Sequence, residues 1–456
     1  MNILVVGGTG PLGSYIALHL KAEGHEVSIA SRNLPQASHV ASALPWLACN
    51  YLNQDVSQDS LAHYQAIVFA AGSDPRHVPE GEDPDAHFLH ANGEMLPAFA
   101  RRARDAGVAK FIHIGSFYPH VLPGYIESNV YVRSRHLAAQ RVCELSNNKF
   151  SAISLDAPFV VGMPKGMKDP MWMAYLSYAR GIYADVEPFG PAGGTNFISV
   201  RSLAQAVSGA LARGEAGKAY LLGDENLSFA RFFQYFFNAV GKAVVVASID
   251  RAHPMLPDEA IMQGRGNTVA YEPDSHDVEV LGYQRNDVGP MIEQMASEVN
   301  EMIGPIDRVV LGEYACFDPD LYALSAKYCW AMDNADKTML RSVFTDDAVL
   351  KGPGFRHDGI DEILAIPDLL ASFFYSTRHE TTQQLVEIKG SSAHGETLCV
   401  ASHVLQPEAG QQPQQVLTWR IRYQDNFIKE GEQWRIAKRS LILDWIDLQA
   451  VHHVIH

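Results

Sequence analysis

The chain is poor in the residues that tie a protein to an oxidising compartment, a membrane or a nucleic acid. Its five cysteines (Cys49, Cys143, Cys316, Cys329, Cys399) are scattered, with no CxxC and no ligand-like spacing. That dispersion excludes a disulfide framework or a metal knuckle and predicts reduced thiols in a cytoplasmic protein. No apolar run approaches the roughly 18 to 20 residues that a membrane span needs. The opening MNILVVGGTG has no basic stretch before its apolar one, so no signal segment is predicted. Basic residues are in deficit, 36 against 52 acidic. Such a surface repels phosphate backbones and anionic membranes, so no nucleic acid and no membrane partner is expected, although a local pocket can still hold one small anion.

What is present is globular: 47% hydrophobic and 19% charged residues in 456 positions, enough for two or three domains. Up to about residue 155, short strands alternate with helical patterns. The strands are 2-NILVVG-7, 27-VSIAS-31, 66-AIVFAA-71, 111-FIHIGS-116 and 151-SAISLDA-157; the helical patterns include 12-LGSYIALHLKAEG-24 and 94-EMLPAFARRARDAG-107. This alternation predicts an α/β fold built on a doubly wound parallel sheet. Residues up to 303 are less regular, and 304–317, beginning at GPID, is a plausible linker. Beyond it, 318–345 reads as helix, and 382-TQQLVEIKG-390, 397-TLCVASHVL-405, 416-VLTWRIRYQDNF-427 and 433-QWRIAKRSLIL-443 read as strands. The predicted division is 1–303, a linker 304–317, and an α+β domain at 318–456 with one curved sheet.

The turn 7-GGTGPLG-13 lies between the first strand and the first helix. Gly10 lets the backbone approach a pyrophosphate, Gly13 lets the helix pack on the sheet, and the helix N-terminus supplies free N–H groups. Gly7, Thr9, Gly10, Pro11, Leu12 and Gly13 are therefore candidate cofactor contacts. After the second strand, Ser31 and Arg32 stand where NAD sites usually place a carboxylate. An arginine there suits a 2′-phosphate, which favours NADP while leaving NAD possible.

The glycine turn, Arg32, FAAG at 69–72, Asn92, IGS at 114–116, YVRSR at 131–135 and DAPFVVG at 156–162 occur in that order. Over residues 1–303 the chain thereby resembles the short-chain dehydrogenase/reductase superfamily, in the extended or atypical branch of nucleotide-sugar epimerases and NmrA-like proteins. The resemblance implies a Rossmann-type fold. It also implies a tyrosine that exchanges the proton of the substrate oxygen, a Ser that holds that oxygen, and a Lys that lowers the tyrosine pKa and binds the nicotinamide ribose. These become Tyr131, Ser116 and position 135, where this chain carries Arg135. An arginine keeps the positive charge but does not pass a proton onward. Ala70 and Ala71 would skirt the cofactor, and Asn50, with Asp55 as the competing choice, stands where the family often contacts adenine. The segment 167–190, rich in Met, Trp, Tyr and Phe, favours a small apolar or aromatic substrate.

The order FTDDAVL, TRH, RYxDxF and WRIxxR in 318–450 resembles the SnoaL-like branch of the NTF2-like superfamily. That implies a cone of curved sheet and helices around an apolar cavity, in a family holding cyclases, dehydratases and dimerisation modules. Its dehydratase members pair a His with an Asp about five residues after a Tyr on the first helix. His379 matches the His and Tyr322 the Tyr, which sends the expected Asp to Lys327, with Asp333 expected to face elsewhere. A homodimer through this domain is one implied role. The combined expectation is an NADP-dependent oxidoreductase acting on an apolar carbonyl or alcohol, with the second domain shaping a pocket, dimerising or performing a coupled step. The alternatives are a non-catalytic NADP-binding sensor and a sugar-type epimerase or dehydratase.

Overall fold

The structure is a computed structural model that describes residues 1–74, 78–79, 81–183, 186–304, 310–313, 315–407 and 415–450. Residues 305–309 and 314 of the expected linker lie outside the described residues. The chain divides into two units, Met1–Tyr175 with Pro188–Glu298, and Leu176–Glu187 with Val299–His456.

The first unit is built on β1 (Asn2–Val6), β2 (Glu26–Ser31), β3 (Trp46–Ala48), β4 (Ala66–Phe69), β5 (Lys110–Ser116) and β6 (Ser151–Ala157). After β7 (Phe159–Val161), β8 (Phe189–Pro191) and β9 (Gly194–Ser199) comes β10 (Ala219–Leu221), which completes a parallel sheet of order β10-β6-β5-β4-β1-β2-β3. Small sheets add β11 (Glu225–Ser228) beside β9 and β12 (Ala247–Ile249) beside β8.

Residues 3 to 6 of β1 are all buried, so both faces of the sheet must be covered. Ile3 and Val5 pack with Ile16 and Leu20 of the helix Pro11–Ala22 and with Leu203 and Val207 of the helix Val200–Arg213. Leu4 and Val6 pack on the other face with Phe99 of the helix Leu96–Asp105 and with Ala138 and Val142 of the helix Val130–Cys143. This is a doubly wound, Rossmann-type sheet. The chain leaves β3 at one edge and returns as β4 on the far side of β1. Ligands of such sheets sit outside the carboxyl ends at that reversal.

One expectation is corrected at this level. Trp172 and Tyr175, taken as part of a substrate wall, are each 2% exposed. Their rings contact Phe232, Phe233 and Phe236, and Phe232 stacks on Phe197 at 4.5 Å. The helix Phe229–Ala239, FARFFQYFFNA, presents an aromatic face that consumes this surface as core.

In the second unit the helices Pro319–Asp333 and Lys337–Val343 precede a six-stranded sheet. Its strands are β13 (Phe344–Gly352), β14 (Phe355–Asp358), β15 (Phe374–Lys389), β16 (Ser392–Leu405), β17 (Gln415–Glu430) and β18 (Gln433–Ala450), in the order β14-β13-β18-β17-β16-β15. Only the β13–β18 pair is parallel among the described pairs. On β16, Ala393, Gly395, Thr397, Cys399, Ala401 and His403 are buried and the residues between them are half-buried, the period of a one-sided strand. Leu321, Leu324, Tyr328 and Met332 close that inner face. Deep within it, Asp425 of RYxDxF and Arg439 of WRIxxR form a fully buried bidentate pair at 2.8 and 2.6 Å. The Arg439 guanidinium also lies over the Tyr328 and Tyr423 rings at 4.5 and 4.2 Å.

Candidate active site and cofactor cleft

The glycine turn starts where β1 ends. Gly7 has φ +84°, and a Cβ there would lie 2.9 Å from the Ala70 carbonyl oxygen, so the turn grazes the end of β4. At Gly13 a Cβ would lie 2.1 Å from the Gly7 oxygen, which fixes glycine where helix and turn cross. At Gly10 it would meet nothing nearer than 3.5 Å. Gly10, where a Cβ would make only an ordinary contact, stands at the N-terminus of the helix Pro11–Ala22, which has no side-chain cap and no acid in its first turn. Its first N–H groups are available to an anion. Pro11 occupies the first turn at no cost in hydrogen bonds; Leu12 packs against the core. The Thr9 carbonyl accepts from Nε2 of His39 at 3.0 Å, while Nδ1 of His39 accepts from the Ala41 N–H. The two bonds fix the orientation of this imidazole against the turn.

Around the turn, Ala70 and Ala71 follow β4 half-buried, with the Ala70 N–H bonded to the Val6 carbonyl. The Ser31 hydroxyl accepts from Trp46 Nε1 at 3.0 Å and donates to the Asn33 carbonyl at 2.8 Å. Arg32 next to it is exposed and pairs with no carboxylate among the described residues. Asn50 and Asp55 belong to one turn: the Asp55 carboxylate accepts the Asn50 N–H at 2.9 and 3.1 Å, and the Asn50 side-chain oxygen accepts the Leu52 N–H at 3.2 Å.

Ser116 ends β5 at 8% exposure, and its hydroxyl bonds to no described residue. Tyr131 lies in the first turn of the helix Val130–Cys143, capped by Asn129, with its ring edge-on to Phe88 at 5.2 Å. One turn later Arg135, 7% exposed, donates from Nη2 to the Ile114 carbonyl of β5 at 2.9 Å. Arg135 therefore ties the Tyr131 helix to the strand that ends in Ser116. Room for the guanidinium comes from Gly72, where a Cβ would lie 2.1 Å from Arg135 Nη1. Asn92, fully buried, bonds both backbone groups of Ser73 at 2.9 Å and Ser134 at 3.2 Å, clamping the end of β4 to the same helix. Asn92 sits in a π-type turn, Leu89–Met95, a widening that recurs at functional sites. Tyr118 is raised well above its ordinary value by burial, with Tyr131 adding to it.

Sequence reasoning missed a polar chain below this site. Ser154 donates to Asp156 Oδ1 at 2.6 Å and so accepts from Nδ1–H of the fully buried His113 at 3.0 Å. Burial holds His113 well below its ordinary value, with the charge of Arg135 adding to the effect. Asp156 Oδ2 accepts from His120 at 2.6 Å, and that bond raises His120. Gly115 is the visible signal in retrospect, since a Cβ there would lie 1.7 Å from Asp156 Oδ1.

The second unit holds a cavity of about 480 Å³ lined by Cys329, Trp330, Asp333, Thr377, His379 and Thr381 among others. His379 Nδ1 donates to Asp333 Oδ1 at 2.6 Å, the His379 N–H reaches Asp333 Oδ2 at 2.7 Å, and Thr377 donates to Oδ1 at 2.9 Å. Burial pushes the Asp333 carboxyl up, but the bonds and charge of His379 outweigh it and hold the group below its ordinary value. Two expectations are corrected here. Asp333 faces His379, and Lys327 is exposed away from the cavity lining. The tyrosine that precedes Asp333 by five residues is Tyr328, 3% exposed, whereas Tyr322 bonds to Thr381 near the other end of the helix. Among the described residues no group of three or more His, Cys, Asp or Glu could hold a metal, and no helix is long and apolar enough to cross a membrane.

A dinucleotide-type cleft on a doubly wound sheet, followed by an NTF2-like α+β unit, defines the class of protein. Residues 3–223 match the NAD dependent epimerase/dehydratase family and residues 320–440 match the SnoaL-like domain. The chain accordingly belongs to the extended short-chain dehydrogenase/reductases, NAD(P)-dependent enzymes of oxidoreductase type, with a SnoaL-like domain fused behind. Among solved structures it is similar to gox2253, with 22% identity over 66% of this chain and 98% of that one and a TM-score of 0.52. It is also similar to UDP-glucose-4-epimerase (galE) from Stenotrophomonas maltophila with bound NAD and formylated UDP-arabinopyranose, with 18% identity over 66% and 98% and a TM-score of 0.51. These two likenesses concern the fold. Rv3472, described as a function unknown protein from Mycobacterium tuberculosis, is 30% identical over 27% of this chain and 70% of its own, with a TM-score of 0.24. No curated protein matches the chain.

Proposed function

We propose that the first unit is an NADP-dependent oxidoreductase that interconverts a carbonyl and an alcohol. The observation that carries this reading is the tie between Arg135 and β5, which puts a fixed positive charge one helical turn from Tyr131 and two residues from Ser116. A bound nicotinamide supplies or accepts the hydride. Tyr131 exchanges the proton of the substrate oxygen, and the Ser116 hydroxyl donates a hydrogen bond to that oxygen. Arg135 favours the phenolate electrostatically and, because a guanidinium does not give up its proton in proteins, passes none on. The exposed Arg32 supports a 2′-phosphate on the cofactor. Substrate choice draws no support from Trp172 and Tyr175, which are core. The test is Tyr131→Phe, assayed for NADPH oxidation against a panel of ketones: unchanged turnover removes the assignment.

The family match supports a second reading, epimerisation or dehydration of a sugar-type substrate. The two differ in cofactor balance, since an epimerase returns its hydride and consumes no NADPH. For the cone unit, the Asp333–His379 pair supports proton transfer at a substrate in the 480 Å³ cavity. His379→Gln in the full chain that leaves product composition unchanged would remove that role.

A further inference from the structure

The stretch DAPFVVG opens with an acid to which the carbonyl chemistry above gives no role. Asp156 is 1% exposed and both of its oxygens are occupied: Oδ1 accepts the Ser154 hydroxyl at 2.6 Å, and Oδ2 accepts Nε2–H of His120 at 2.6 Å. The carboxylate therefore has one fixed orientation. It lies over the backbone of β5, since a Cβ at Gly115 would collide with Asp156 Oδ1 and with the Ser154 hydroxyl. Gly115 faces Asp156 in the sheet register, as Ser116 faces Ala157. His120 belongs to the short helix Tyr118–Val121, which begins two residues after Ser116. Between them the Phe117 N–H reaches the Ala157 carbonyl at 3.1 Å, and the His120 N–H reaches the Phe117 carbonyl at 3.0 Å. The imidazole bond is thus a side-chain tie that closes this segment onto β6. With Arg135 on the Ile114 carbonyl, the last three residues of β5 are held on either side of Gly115. His120 is also open to solvent: its side chain is 35% exposed and lines a cavity of about 180 Å³ with Pro119, His136, Gln140 and Ala219 among others.

We propose that His120 and Asp156 are positioning residues of the cleft, a latch that holds the segment after Ser116 against β6 and is tightest when His120 carries a proton. The proposal rests on the roles given above to Ser116 and Tyr131. An imidazolium on a carboxylate makes a charge-assisted bond, roughly twice as strong as its neutral counterpart. The bond to Asp156 raises His120 above its ordinary value, against burial. A histidine raised in this way adds stability that is full below about 6.5 and is lost as pH rises through the raised value. The other titratable groups around the pair come from four elements. Tyr118 shares the short helix of His120, and burial raises it and Tyr271 well above the ordinary tyrosine value. Burial pushes Cys143, at the end of the helix Val130–Cys143, up to about 12, and holds His113 of β5 well below its ordinary value. These four stay uncharged through the window. His136, which lines the same cavity, is the group to control for.

The test uses the full chain with labelled histidine. By NMR, His120 should titrate above about 6.5; Asp156→Asn should bring that titration down, and His136→Gln should leave it in place. Hydrogen exchange, expressed as protection factors, should show residues 117–122 opening as pH rises through the same value. His120→Gln should open them at every pH. In the ketone assay His120→Gln should lower kcat by up to about 10²-fold, the cost of a misplaced contact, and remove the limb of the kcat profile at the His120 titration. The KM for NADPH should not move, because the glycine turn is untouched. The latch is overturned if Asp156→Asn leaves the His120 titration unchanged, or if protection over 117–122 ignores His120→Gln. It is also overturned if kcat and its pH profile match the native chain while Tyr131→Phe abolishes turnover. Failure of the oxidoreductase reading looks different: Tyr131→Phe then turns over like the native chain, and the NMR and exchange arms still decide whether the latch exists. His120→Gln, at a partly exposed position, decides alone should Asp156→Asn fail to fold.

Discussion

Each unit sets the side chain proposed to transfer a proton against a charged neighbour, and the two do so by different means. In the first, Tyr131 and Arg135 share one helix a turn apart, and the charge is pinned by the Ile114 carbonyl. In the second, Asp333 ends a helix and His379 sits on β15, 46 residues away, and either partner can exchange a proton. A pair within one helix survives small errors of packing. A pair between a helix and a strand depends on how the helix docks, and so reports on the fold of the whole unit.

Five substitutions sharpen or break that contrast. Tyr131→Phe should lower NADPH-dependent turnover by about 10²- to 10⁴-fold with cofactor binding retained by fluorescence titration, while Asp333→Asn leaves that activity in place. Asp425→Ala leaves the buried charge of Arg439 unpaired and should destabilise the second unit by about 3–5 kcal/mol, seen as a lower urea midpoint, with the first unit's transition unmoved. Arg32→Ala should weaken NADPH binding by roughly ten- to hundredfold, the loss of charged hydrogen bonds to a phosphate, and leave NADH binding alone. The smallest effect concerns pH. Asp333 is held low by His379, so it adds stability above the ordinary carboxylate pKa of about 3.9 that is lost as pH falls through its lowered value. His379→Gln should move the Asp333 titration upward in carboxyl NMR and flatten that acid limb of the stability curve.

The same contrast explains what the sequence disclosed. Both folds were legible because β1 alternates into two cores and β16 into one, and these periods are local. The glycine turn was legible because steric demand at Gly7 and Gly13 leaves a residue-specific mark. Asp333 was misplaced because two tyrosines six residues apart, Tyr322 and Tyr328, both fit a first-helix pattern, and only burial distinguishes them. The aromatic segment around Trp172 was misassigned because composition does not say which surface an apolar residue meets; the partner helix Phe229–Ala239 lies some sixty residues on. The His113–Ser154–Asp156–His120 chain joins two strands and the short helix Tyr118–Val121, and no spacing announces it.

The close approach of Gly72 to Arg135 bears on how this cleft can change over time. The missing Cβ and the bulky guanidinium occupy one shared volume, so the two positions form a single heritable unit. Placing lysine at 135 alone would leave space beside Gly72 and the Ile114 carbonyl without its donor, and enlarging position 72 alone would displace the charge. Either step alone meets a penalty that the second relieves, which is epistasis of the kind a double-mutant cycle measures. Arginine at 135 is therefore held in place by packing beside Gly72 as much as by its charge.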